Sequence, residues 1–176
     1  MSSESAPVTR LLLDSFGRIR ELVEDITADL PDAIAVYRPD PGANSMSWLL
    51  WHLARVQDDH ISGLAGVAQA YTECGWAGRF GLPFDDADIG YGHSSDDVGK
   101  VTAGAQLVAE YHADVHELTR RYIETLTADE LDRVVDEAWD PPVTAAVRIV
   151  SVEGDCLQHL GQAAYIKGMA LRAGIR

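Results

Sequence analysis

Apolar residues recur at helical spacing in four long stretches of the chain. Over residues 8–29, Leu11, Leu12, Ile19, Leu22, Val23 and Ile26 fall three and four apart with Asp and Glu between them, which predicts an amphipathic helix. A second helix begins near Ser45, a suitable N-cap after Asn44, and runs through SMSWLLWHLARVQDDHISGLAG. From Met46 to Val56 it is apolar on nearly every side except at His52 and Arg55, so it belongs in the interior of a bundle. A third helix is predicted from about Asp96 to Leu126, capped by Ser94 or Ser95, with Leu107, Tyr111, Val115, Leu118 and Tyr122 as its apolar stripe. The fourth covers 144–171, with Thr144 as its cap and Gly174 as its stop. Val147, Ile149, Val150, Val152, Leu157, Leu160, Ala163, Ala164, Ile166 and Met169 make it apolar on most sides, the pattern of a second interior helix.

The connections are less regular. Pro31 and Pro39 bracket an extended connector. Residues 68–94 carry Gly75, Gly78, Gly81, Gly90 and Gly92 together with Pro83, which rules out a continuous helix. The same stretch holds Tyr71, Trp76, Phe80, Phe84 and Tyr91. A loop of this length and aromatic content has the character of a lid or binding loop. Residues 127–135 predict one short helix capped by Thr127, and Trp139 to Pro142 a turn or extended piece. No run has the pattern of a strand, and no internal repeat or low-complexity tract is visible. The predicted fold is all-α: one domain over 1–176, a four-helix bundle with a long loop between helices two and three and one extra short helix.

Charge and composition narrow the function. At 176 residues one domain is expected. The net charge is −14, with 28 acids against 14 Lys plus Arg, which opposes binding to nucleic acid or to an anionic membrane. No apolar run approaches the ~20 residues of a membrane span. The N-terminal MSSESAPVTR has no apolar core of the kind a secretory signal needs. Cys74 and Cys156 stand far apart with no CxxC, and these features together point to the cytoplasm.

The chemistry concentrates on two helices. Asp155, His159 and Gln162 fall at i, i+4 and i+7, which puts them on one helical face. A carboxylate and an imidazole one turn apart can grip a divalent metal. His52 is the leading third arm, because the two most apolar helices should face each other. Three protein ligands leave coordination positions open, as catalysis requires, and two His with one carboxylate also resembles the triad of iron(II) oxygenases. The competing account is a buried His–Asp hydrogen bond with no metal. His112 and His116 form another i, i+4 pair, expected at the edge of the apolar stripe or in solvent, and His60 is expected to be exposed. Cys156 reads as a small buried residue, and nothing near Cys74 is arranged to lower its pKa. Arg55, Arg79, Tyr91 and His93 are candidate substrate contacts, against ordinary structural contacts for each. There is no GxGxxG, Walker loop or GxSxG.

SMSWLLWHLARVQDDHI in the second helix and DCLQHLGQAAYIKG in the fourth resemble the DinB/YfiT-like metal-binding helix bundles. WAGRFGLPFDDADIGYGH is similar to the actinobacterial branch that includes mycothiol-dependent S-transferases. The resemblance covers about residues 10–173. It implies a four-helix bundle with a metal held by one His on helix two and two residues on helix four, which fall here on His52, Asp155 and His159. Many members have HxxxH on helix four; Asp155 departs from that pattern, and a carboxylate is a harder ligand than imidazole.

The resemblance further implies a transferase that conjugates a low-molecular-weight thiol, mycothiol or a similar one, to an electrophilic small molecule. Zn2+ is the leading metal, with Ni2+, Fe2+ and Mn2+ as alternatives. On this reading Gln162 orients a ligand or a metal-bound water. A metal-dependent hydrolase of the same fold and a non-enzymatic metal-binding module stand as alternatives, and a homodimer is compatible with such bundles.

Overall fold

The computed structural model describes residues 6–176. Residues 1–5, within the segment read for a secretory signal and within the predicted domain, lie outside them. Among the described residues nine helices and one two-stranded ladder are formed. Four of the helices are long: α1 (Ala6–Thr27), α3 (Met46–Ala65), α7 (Ala105–Thr125) and α9 (Ala145–Arg172). They make the predicted bundle, with α3 packed on α7 and α9, and α1 closing the other side against α7 and α9.

The capping signals act where they were expected. Ser45 Oγ accepts from Trp48 N, Thr127 from Glu130 N and Thr144 from Val147 N. Each hydroxyl satisfies one of the amides that a helix start leaves unpaired. α1 buries Thr9, Leu12, Phe16, Ile19, Val23 and Ile26, one every three or four residues. α3 is central: sixteen of its 20 residues are buried, His52, Arg55 and Asp58 among them.

Several expectations are corrected. The third predicted helix is two: α6 (Ser95–Lys100), held by a capping box between Ser94 and Asp97, and then α7. Between them Val101 is buried and extended, and Gly104 is the extended N-cap of α7. The Val-Thr pair and the flanking glycines are poor helix formers, and Ser47 Oγ donates to the Ala103 carbonyl at 2.7 Å. The Pro31–Pro39 connector contains a single turn, α2 (Asp32–Ala35), and the long loop contains two, α4 (Ala70–Glu73) and α5 (Trp76–Phe80). α8 (Ala128–Asp132) leads into a short antiparallel ladder that sequence patterning did not show, β1 (Val134–Asp136) on β2 (Val143–Thr144). α9 is not interior on all sides. Ile149, Val152, Cys156, Leu160 and Ala163 are buried, while Val147 and Val150 are 54% and 61% exposed. A four-helix bundle can cover only the inward side of an outer helix.

His112 is also corrected. It is buried, not at the solvent edge, because α7 is covered by α1 as well as α3. Its Nε2–H donates to Gln57 Oε1 at 3.2 Å, and Gln57 Nε2 donates to Thr119 Oγ1 at 2.8 Å. Burial, reinforced by the charges of His116 and Arg20, pushes the imidazole from 6.5 down to about 3. Between those two values the unfolded chain binds a proton that the fold refuses, so stability falls as the pH drops through that window. Metal-free protein should therefore lose stability on going from about pH 7 to about pH 5, with His112 contributing up to about 1.4 kcal/mol per pH unit. A His112→Gln variant, weaker at neutral pH, should show the shallower loss. Equal pH slopes of the urea midpoints in the two proteins would refute this.

Candidate metal centre

The site forms where α3 and α9 cross the long loop. His52 of α3 meets His159 of α9 edge to face, with ring centroids 4.9 Å apart. One turn before His159, Asp155 places Oδ1 3.5 Å from His159 Nε2. One ligand atom from each of His52, Asp155 and His159 lies within 4.8 Å of the other two. Among the described residues this is the one such group of three or more.

The protonation pattern follows from the hydrogen bonds. His52 Nδ1 lies 2.5 Å from the Ile89 carbonyl. A carbonyl can only accept, so Nδ1 carries the proton and Nε2 keeps its lone pair. His159 Nδ1 donates to Gln162 Oε1 at 2.9 Å, which leaves its Nε2 facing the Asp155 carboxylate. Two ring lone pairs and a carboxylate converge, and Asp155 Oδ2 is buried with no hydrogen-bond partner. An orphaned buried carboxylate oxygen is costly unless a cation faces it. The donor set thus fits a divalent ion, with both imidazoles oriented by a second hydrogen bond, as metal-binding histidines generally are. Burial holds the His52 imidazole down, whereas the neighbouring Asp155 carboxylate raises that of His159.

The loop that supplies the Ile89 carbonyl is anchored by a buried ion pair. Arg55, fully buried, donates to the carbonyls of Asp86 (2.6 Å) and Asp88 (3.2 Å) and to Gln69 Oε1 (2.8 Å). Its guanidinium lies 3.8 Å over the Tyr71 ring and 3.8 Å from Asp58. Asp58 in turn accepts from the backbone N–H of Ala70 and Tyr71 and from Tyr111 Oη. Further along, Asp88 Oδ1 accepts from Gly90 N at 2.8 Å, and His93 Nε2 donates to Asp88 Oδ2 at 3.0 Å. Trp48 Nε1 donates to His93 Nδ1 at 3.0 Å, and the Trp48 ring stacks on His52 at 4.6 Å. Gly90 has φ +98°, and a Cβ there would stand 2.8 Å from His52 Nδ1 and 3.1 Å from Trp51. Only glycine lets the loop come this close.

The four expected substrate contacts separate in space. Tyr91 stands at the mouth, 66% exposed, its ring edge-on to His52. Arg55 and His93 are one layer back, holding the loop. Arg79 lies over the Trp76 ring and pairs with Glu110 of α7 at 2.6 Å. Gln162 orients His159. Trp48, Ile89 and Gly90 were not singled out from sequence. A backbone carbonyl leaves no sequence signal, though a glycine next to the predicted lid contacts was a hint. His60, expected to be exposed, is partly buried, with 21% of its side chain accessible.

Residues 15–163 match the DinB superfamily. This chain belongs to the DinB superfamily. A solved structure described as the crystal structure of the conserved protein of locus from Enterococcus faecalis shares its fold with a TM-score of 0.84. The two are 34% identical over 91% of this chain and 95% of that one. No curated protein matches the chain. No described helix is long and apolar enough to cross a membrane.

Two substitutions test the orientation of the ligands without touching them. Gly90→Ala should push the Ile89–Gly90 backbone off His52 and weaken divalent-metal binding roughly 10–100-fold, the usual effect of losing a ligand's supporting hydrogen bond. Gln162→Leu should do the same through His159. Competition with a chromophoric chelator measures both, and wild-type affinity in both variants would show that these bonds do not orient the ligands.

Proposed function

We propose that this DinB-superfamily chain is a metal-dependent transferase joining a low-molecular-weight thiol, mycothiol or a close analogue, to electrophilic small molecules, with zinc as its metal. The observation that carries the metal half is the donor set itself. Two imidazoles with fixed tautomers and one orphaned carboxylate oxygen point at a common centre, and three protein ligands leave room for a guest. A divalent ion held there would stabilise an incoming thiol as its thiolate.

The chain's own cysteines support an external thiol. Cys156 is fully buried, and burial pushes its pKa far above the usual thiol range. Cys74 is exposed, but burial effects and the charges of Asp114 and Asp58 push it up as well. Neither is poised as a nucleophile, so sulfur chemistry here requires a thiol brought in as substrate. His52, Asp155 and His159 supply the donors, while the exposed Tyr91 ring, edge-on to His52, offers a surface against which an apolar electrophile can lie.

Zinc-loaded protein with mycothiol and a chromogenic aryl halide should exceed the uncatalysed rate. His159→Ala should lose at least about 100-fold of that gain, a loss of transition-state stabilisation of about 2.7 kcal/mol. Turnover of ester or amide substrates with no thiol present would favour a hydrolase instead. No acceleration with mycothiol or other small thiols would overturn the reading.

A further inference from the structure

A second polar cluster lies on the same seam as the metal ligands, two turns away. On α9, Arg148 precedes Asp155 by seven residues, about 10 Å along the axis and on the same face. On α3, His60 follows His52 by eight residues. His52 meets His159 while His60 shares a cleft with Arg148, so the two helices run antiparallel along this seam. His60 Nδ1 stands 3.4 Å from Asp59 Oδ2.

His60 and Arg148 line a cleft of about 370 Å³ together with Asp59, Gly63 and Arg133, among others. Two guanidiniums and one carboxylate line it. Each guanidinium is paired with an acid that is not among the lining residues. Arg148 Nη2 pairs with Asp136 Oδ2 at 3.1 Å, and Arg133 pairs with Glu130 at 2.7 Å while donating to the Leu64 carbonyl. Asp59 is itself engaged by Gln69 Nε2 at 2.8 Å. A guanidinium fixed through one edge keeps donors on another and is preorganised for a planar anion.

We propose that this cleft is an anion subsite of the metal centre, in which Arg148, assisted by His60 and Arg133, takes the carboxylate of a small molecule whose reacting atom sits at the metal. The inference rests on the metal-thiol reading above and adds a substrate class: carboxylate-bearing molecules with a span of about 10 Å between the charge and the reactive end.

Mercaptoalkanoates and their alcohol counterparts, titrated into cobalt-loaded protein and followed by the thiolate absorption band, test it directly. Mercaptohexanoate should bind roughly tenfold tighter than mercaptohexanol, as expected for a charge-assisted hydrogen bond. Mercaptoacetate, too short to reach the cleft, should show no such gain over mercaptoethanol. The preference should disappear in Arg148→Gln and return in part in Arg148→Lys. Equal binding of acid and alcohol by the wild type, or a preference unchanged in Arg148→Gln, overturns the subsite while leaving thiol binding intact. If no thiol perturbs the cobalt spectrum, the thiol reading falls. Hexanoate alone, titrated by calorimetry, then decides the cleft: binding lost in Arg148→Gln supports it, and no binding to the wild type overturns it.

Discussion

The hydrogen bond from His52 Nδ1 to the Ile89 carbonyl ties the three parts of this protein together. It joins the central helix to the long loop, and through its donor it determines which nitrogen of His52 faces α9. Without it the imidazole of a residue 2% exposed would be free to choose its tautomer and ring orientation. The loop cannot hold that carbonyl in place unaided, because residues 81–94 form almost no regular structure. Its backbone is satisfied by side chains of α3: the Asp86 and Asp88 carbonyls by Arg55, and the start of α4 by Asp58. A buried Arg–Asp pair adds little net stability when complete, yet removing one partner typically costs about 3–5 kcal/mol. Here the pair is better understood as a device for geometry. It gives the loop one conformation, and that conformation is what the metal ligand needs.

This accounts for the uneven polarity of α3. Among the polar residues of α3, His52, Arg55, Asp58 and Asp59 turn toward the loop and α9. The apolar remainder, Leu49, Leu50, Leu53, Val56 and Ile61, faces the bundle and is almost completely buried. One helix therefore serves as both core and site, and the loop's position follows from the fold's own packing.

Much of this was legible in the sequence, for definite physical reasons. The four long helices carry strong periodicity and hydroxyl caps that act at Ser45, Ser94, Thr127 and Thr144. His52, Asp155 and His159 could be brought together from two facts: helical spacing on α9 and the expectation that the two most apolar helices meet. The rest was hidden for equally definite reasons. α9 looked interior because its apolar residues encircle it, but a bundle covers only one side. His112 looked exposed because the stripe on α7 was drawn too narrow for a helix covered by two neighbours. Arg55 looked like a substrate anchor because a charged residue near a ligand reads the same in sequence whether it turns to the guest or to the backbone. The β1–β2 ladder has too few residues to carry a pattern. Arg148 was within reach of the same spacing argument that found the metal ligands, extended by two turns.

The carboxylate on α9 bears on what the site accepts. Three neutral imidazoles would leave a divalent ion with its full charge in a largely buried place. With Asp155 as one donor a divalent ion held there would carry one net positive charge, which a single monoanionic guest would neutralise. Charge burial is the costly term in such a site, so the donor set favours a guest that binds as a monoanion over one that binds neutral, and over one that brings two charges to the same point. A thiolate meets that condition at the centre itself. A second negative charge on the same molecule would then need its own partner away from the metal, and on the proposal above that partner would be Arg148, two turns along α9 on the face that carries Asp155.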